Sequence, residues 1–127
     1  MIEHVRVSEK ARNQLITLKR KTGIQQWNVL CRWAFCLSLA EKSVPPDEDI
    51  VADSSVEMSW RTFTSGQEAI YWALLVQRIR SDGLAEDGNT LARYFRLHLH
   101  RGISYLNGAV GSKGIEPLLV LAQAGGS

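Results

Sequence analysis

The segment from about Ile24 or Gln25 to Glu41 limits this chain more than any other part of it. Gln25, Gln26 and Asn28 make its first turn polar. Trp27, Val29, Leu30, Cys31, Trp33, Ala34, Phe35, Leu37 and Leu39 then leave almost no polar face, and only Arg32 and Ser38 interrupt them. A helix that is apolar nearly all round must be buried nearly all round. The longest apolar run, Trp33 to Ala40, falls far short of the roughly 20 residues that span a bilayer. No charged-then-apolar signal sequence opens the chain, so a cytoplasmic protein without a membrane partner is expected. One domain of 127 residues offers few helices to cover such a surface. A second subunit is the expected cover.

Shorter signals set the flanking elements. His4-Val5-Arg6-Val7-Ser8 alternates as a strand does, with Val5 and Val7 on one face and His4, Arg6 and Ser8 on the other. Ser8 suits the N-cap of a following helix. From Glu9 to about Thr22, Ala11, Leu15, Leu18 and Thr22 recur at helical spacing, and Gly23 stands where a left-handed residue ends a helix. Strand, helix, glycine turn and helix over 4–41 is the order of a ribbon-helix-helix module. There, two chains pair their strands into a ribbon that enters the DNA major groove. The start of the second helix, near Ile24 to Gln26, would offer free N–H groups to a phosphate.

Pro45, Pro46 and an acidic run mark 42–64 as a loop, with a short strand over Met58 to Phe63. Ser65-Gly66-Gln67-Glu68 reads as a capping box. It opens a third helix to about Ser81, with Ile70, Ala73, Leu74 and Gln77 along one face and Leu75, Val76 and Ile79 beside it. Asp87-Gly88-Asn89 reads as a turn. A fourth helix follows from about Thr90 to Leu106, striped by Leu91, Phe95, Leu99, Gly102 and Leu106, so the C-terminal helices occupy 65–108. Residues 109–127 read as a loose tail with an apolar piece from Ile115 to Ala124. The expected fold class is mainly α: a ribbon-helix-helix-like N-terminal module extended by two or three further helices, in a single domain over 1–127.

Net charge is only +2, but it is unevenly spread. Over residues 1–21, Arg6, Lys10, Arg12, Lys19, Arg20 and Lys21 oppose only Glu3 and Glu9, leaving +4. Over 41–68, seven acids oppose Lys42 and Arg61, leaving −5. Such polarity gives one face suited to an anion and another that repels it. The basic stretch is therefore the candidate contact for the phosphate backbone of nucleic acid.

Catalytic chemistry is not expected. Cys31 and Cys36 lie in an apolar run, as small buried hydrophobes do, and lack the second ligand pair of a zinc site. His98 and His100 are two apart on one helix and point to different sides, so they read as packing or interface residues. No nucleophile signature or phosphate-binding loop is present. Asp47-Glu48-Asp49 beside two prolines reads as a solvated loop; the weaker alternative is a metal-dependent nickase, which needs clustered carboxylates. Catalytic residues, metal and cofactor are all expected to be none.

Several stretches taken together carry a family likeness. They are Val7-Ser8-Glu9-Lys10-Ala11, Leu18-Lys19-Arg20-Lys21-Thr22-Gly23, Trp27-Asn28-Val29-Leu30-Cys31-Arg32-Trp33-Ala34, and Gly88-Asn89-Thr90-Leu91. Phe95-Arg96-Leu97-His98-Leu99-His100-Arg101-Gly102-Ile103-Ser104-Tyr105-Leu106 completes the set. Over roughly 4–108 they resemble the DndE family of bacterial DNA phosphorothioation proteins. The resemblance implies a system that replaces a non-bridging phosphate oxygen with sulfur. In it a cysteine desulfurase, a sulfur-activating enzyme and an ATPase perform the chemistry. For this chain it implies a non-catalytic, ribbon-helix-helix-like subunit favouring nicked double-stranded DNA, with Lys10, Lys19, Arg20 and Lys21 on the backbone. The expected partners are that DNA, the sulfur-activating enzyme and ATPase, and further copies of the chain, a dimer at least and a tetramer by the extent of apolar surface. The alternative is a scaffold that recruits the other modification proteins.

Overall fold

The computed structural model describes residues 2–110. Val5 and Val7 bury their side chains and His4 and Arg6 do not, so the alternation at the N-terminus does form a strand, β1 (His4–Arg6). Its partner lies in the same chain. β2 (Glu57–Ser59) runs antiparallel to it with His4 opposite Ser59, Val5 opposite Met58 and Arg6 opposite Glu57. The ladder continues past the strands: the Val7 N–H donates to the Val56 carbonyl at 3.3 Å and the Ser54 N–H to the Val7 carbonyl at 3.1 Å. This corrects the expectation that β1 takes its strand partner from a second copy. It also corrects the expected strand over Met58 to Phe63, which stops at Ser59, because the Ser59 hydroxyl accepts the Thr62 N–H and starts a helix.

α1 (Glu9–Thr22) is bounded as its sequence indicates. The Ser8 hydroxyl accepts the Ala11 N–H, Gly23 closes the helix at φ 75°, and Ala11, Leu15 and Leu18 are buried. α2 (Trp27–Ala40) starts two or three residues later than the pattern suggests, with Gln26 as an N-cap that makes no side-chain bond. Its polar interruptions are each satisfied. Asn28 Nδ2 donates to the Thr62 carbonyl at 3.0 Å, Arg32 to the Phe63 carbonyl at 2.9 Å, and Ser38 is held by His98 and Arg101. Only Leu30, Cys31, Ala34, Phe35 and Ser38 of α2 are buried; Cys36 is exposed, against the expectation that both cysteines lie in the core.

α3 (Trp60–Thr64) ends at Ser65, which takes a left-handed φ of 54°. Ser65 therefore terminates one helix instead of capping the next. α4 (Glu68–Ser81) has Gln67 as N-cap, without a side-chain bond, in place of the expected capping box. The expected core stripe of α4 is also displaced. Leu75 and Ile79 are buried, while Ala73 and Gln77 are exposed, Ile70 is 56% exposed and Leu74 37%. α5 (Gly88–Val110) is longer than its periodicity indicates at both ends. The expected turn at Asp87 is a cap: the Asp87 carboxylate accepts the Thr90 N–H at 2.8 Å. Its whole predicted stripe, Leu91, Phe95, Leu99, Gly102 and Leu106, is buried.

α5 lies against α2 along most of its length, and the two backbones meet at Gly102. A Cβ added there would sit 1.7 Å from the Ala34 carbonyl oxygen. α1 packs on another side of α5, and Phe35, Phe63, Phe95 and Trp60 fill the remaining space with ring centroids 5.2–5.8 Å apart. Such ring pairs add roughly 0.5–1.5 kcal/mol each beyond the area they bury.

Two arginines satisfy the C-terminal end of α2, where four carbonyls lack helical partners. Arg101 donates to the carbonyls of Ser38 at 2.9 Å and Ser43 at 2.9 Å, and Arg78 to those of Leu39, Lys42 and Ser43 at 2.7–3.1 Å. Positive charge at that terminus also opposes the helix dipole. Arg101 Nε donates to the Ser38 hydroxyl at 2.8 Å, which leaves the hydroxyl proton for His98 Nδ1 at 2.9 Å. His98 is fully buried and stays neutral: burial first, then Arg78 and Arg101, holds its pKa down to about 4. His100 ties the first cap to α5, accepting the Ser8 N–H on Nε2 at 3.0 Å while Nδ1 donates to the Arg96 carbonyl at 2.8 Å. Both histidines pack inside the chain.

Two outcomes follow from this packing. Gly102→Ala will cost about 3 kcal/mol or more, because the clashing atom is backbone. Gly108→Ala, in open space on the same helix, will instead stabilise by about 0.5–1 kcal/mol. Thermal melts of the two variants check both signs. Acid will also weaken the fold. Between pH 6.5 and about 4 the unfolded chain takes up a proton that native His98 refuses, so stability is full above about pH 6.5 and falls below it. The difference between wild type and His98→Gln in urea denaturation at pH 7.5 and 4.5 will show this as a loss of about 2–3 kcal/mol in wild type alone.

Candidate nucleic-acid interface

The six basic residues of the N-terminal stretch do not share one surface. α1 buries the face bearing Ala11, Leu15 and Leu18, and the helical repeat distributes its cations around what remains. Lys10 and Lys21 are eleven residues apart, about three turns, so they line up on one flank with Gln14 and Thr17 between them. Arg20 points most directly away from the core. Arg12 and Lys19 occupy the opposite flank.

Their surroundings separate them further. Arg6, on the outer face of β1, is 2.5 Å from the Glu57 carboxylate across the ladder. That guanidinium beside Glu57 holds its carboxyl below the usual range. Arg12 lies 3.8 Å from Glu9 and donates from Nε to the Ser55 hydroxyl at 3.1 Å. Lys19 places its ammonium 4.1 Å from the centre of the Trp27 ring, a cation–π contact that joins the end of α1 to the start of α2. Lys10 and Arg20 are exposed and make no ion pair among the described residues; Lys21 is exposed. The last turn of α1 thus gathers Lys19, Arg20 and Lys21 beside the uncapped start of α2. The unbonded N–H groups at the start of α2 are those of the turn opening at Trp27, later than the Ile24 to Gln26 segment suggested by pattern.

The acidic loop is tied back. Arg93 of α5 pairs with both Asp47, through Nε at 2.8 Å, and Asp49 at 3.6 Å. It is therefore not simply solvated. Among the described residues, no group of three or more His, Cys, Asp or Glu side chains is placed to hold a metal ion. No helix among them is long and apolar enough to cross a membrane. The ion pair from Arg93 to Asp47 is not legible from local pattern, because the two lie far apart in the chain and meet only where the loop crosses α5.

The profile of a family described as DNA sulphur modification protein DndE matches residues 4–113. No curated protein matches the sequence. Two solved structures share the fold. One is the crystal structure of DndE from Escherichia coli B7A, described as involved in DNA phosphorothioation modification; it is 21% identical, with 84% of this chain and 98% of that one covered and a TM-score of 0.70. The other is a glycine-to-lysine mutant of DndE described as involved in DNA phosphorothioation; it is 18% identical, with 85% and 99% covered and a TM-score of 0.66.

If Arg6 is what holds the Glu57 carboxyl down, Arg6→Gln will raise the Glu57 pKa toward its ordinary value. A side-chain carboxyl NMR titration measures this directly. An unchanged Glu57 titration would remove Arg6 from the ion pair and return it to the free cations.

Proposed function

The chain belongs to the DndE family of DNA sulphur modification proteins, and from that premise we propose that it is a non-catalytic subunit holding DNA by its phosphate backbone. The observation that carries the reading is the cluster on α1. Lys19, Arg20 and Lys21 share one helical turn, and Lys10 extends the Lys21 flank by three turns. A row of cations at that spacing suits a phosphate backbone, whose charge supplies most sequence-independent affinity. Arg6 and Arg12 are engaged with Glu57, Glu9 and Ser55, so they contribute less than Lys10 and Arg20, which make no ion pair among the described residues. Backbone binding without base readout also fits a β1 strand whose ladder is occupied by β2. The preferred substrate in this reading is nicked duplex, and the sulfur-activating enzyme and the ATPase are the partners that perform the chemistry.

Assembly is part of the same proposal. α2 remains half-open at Val29, Trp33 and Leu37, and α4 exposes Ile70, Ala73 and Leu74 at helical spacing. Burying those faces favours a dimer at least, and a tetramer if both are used. Several copies multiply the phosphate contacts without new chemistry. The exposed α4 face also favours a second reading, a scaffold that docks the other modification proteins there.

Salt and charge reversal discriminate. With about four phosphate contacts per chain, affinity for duplex will fall roughly a hundredfold between 50 and 200 mM salt. Lys19→Glu with Arg20→Glu and Lys21→Glu will abolish that binding, whereas Arg6→Gln will change it less than about threefold. Filter binding or fluorescence anisotropy reads both. Modification that persists in cells carrying the triple reversal would favour the scaffold.

A further inference from the structure

Beside Lys10 lies a cleft of about 450 Å³ between α1, the acidic loop and the last third of α5. That volume falls inside the roughly 300–1,000 Å³ range of small-molecule pockets. Its walls are chemically divided. Ile50, Val51 and the Tyr105 ring are apolar surfaces, Lys10 stands at the α1 side, and Glu48 at the loop side. The Tyr105 ring is 42% exposed and has the Arg101 guanidinium 5.6 Å from its centre. The side chains of Lys10, Glu48, Ser104 and Tyr105 make no hydrogen bond among the described residues, so their polar ends are available to a ligand.

We infer that this cleft takes one unstacked deoxynucleotide, its base against Tyr105 and its phosphate at Lys10. A bare anion fits poorly, because Glu48 and Asp49 would repel it. An uncharged apolar molecule would leave the Lys10 and Glu48 charges without use. A nucleotide meets all three walls. Its flat base stacks on the aromatic ring, its phosphate meets the ammonium, and an exocyclic amino group donates to the Glu48 carboxylate as cytosine N4 does to acidic side chains. Lys10 lies on the same flank as Lys21, so a strand following that flank passes the mouth of the cleft. A base inside an intact duplex must first leave its stack, which favours a free nucleotide or an unpaired one in a strand. The inference rests on the reading of this chain as a DNA-backbone binder for the second of those sources only.

The test uses the full chain in two arms. In the first, ¹⁵N-labelled protein is titrated with dAMP, dCMP and dTMP. Amides at Lys10, Ser104 and Tyr105 are expected to shift, with dAMP and dCMP binding at least about fivefold tighter than dTMP, which lacks the amino group. Ser104→Trp, at an exposed position, fills the cleft and is expected to weaken binding at least tenfold; Tyr105→Leu removes the ring and weakens it severalfold. In the second arm, a duplex with a single unpaired 2-aminopurine is added to wild type and to Ser104→Trp. A fluorescence change in wild type alone assigns the nucleotide to a strand. Shifts with mononucleotides but no change with the bulged duplex assign the cleft to free nucleotides. Amides unmoved by all three mononucleotides, with equal fluorescence in both proteins, overturn the inference even where duplex binding stands. Failure to bind any duplex while dAMP moves those amides overturns the backbone-binding reading and leaves the cleft intact. Equal affinity for dTMP removes Glu48 from base recognition.

Discussion

The backbone contact between α2 and α5 is the constraint on which the rest of this structure depends. Only a residue without a Cβ lets the α5 backbone approach the Ala34 carbonyl as closely as Gly102 does. That approach fixes the distance between the two longest-packed helices, and everything reaching across them inherits it. One residue before Gly102, Arg101 meets the end of α2; two residues before it, His100 meets the cap of α1. Four residues before it, His98 meets Ser38. A wider crossing would separate the Arg101 and His98 contacts with α2 at once.

Charge in this protein is divided by chemistry as well as by position. Arg32, Arg78 and Arg101 spend their guanidinium groups on backbone carbonyls at the ends of helices. Arg6, Arg80 and Arg93 pair with carboxylates. A planar guanidinium with several fixed donors serves such sites better than an ammonium does. Lys10 and Arg20 make no ion pair among the described residues. A chain with a net charge of only +2 thereby keeps three adjacent cations, Lys19, Arg20 and Lys21, in the last turn of α1.

Residues 4–23 follow their sequence closely because each signal there is local. Ser8 caps the helix that immediately follows it, Gly23 ends the helix that immediately precedes it, and Ala11, Leu15 and Leu18 are one face by spacing alone. The errors lie where a local signal met a distant competitor. Ser65 and Glu68 have capping-box spacing, yet Ser65 is needed to end α3 in a left-handed conformation. Ile70, Ala73 and Leu74 have core spacing, yet α3 and α5 cover the other side of α4. Cys36 sits in an apolar run, yet it faces an exposed side of α2.

By itself, the sequence determined the helical character of the chain, the caps of α1, the core stripe of α5 and the clustering of cations before Gly23, since these depend on neighbours within about four residues. Its family likeness is spread over the same segments. Only the tertiary structure decided the partner of β1, the engagement of Arg6 with Glu57, the clamp of Arg93 on the acidic loop and the cleft beside Lys10. Each of these joins residues more than 30 positions apart, and periodicity carries no information about which distant segments meet.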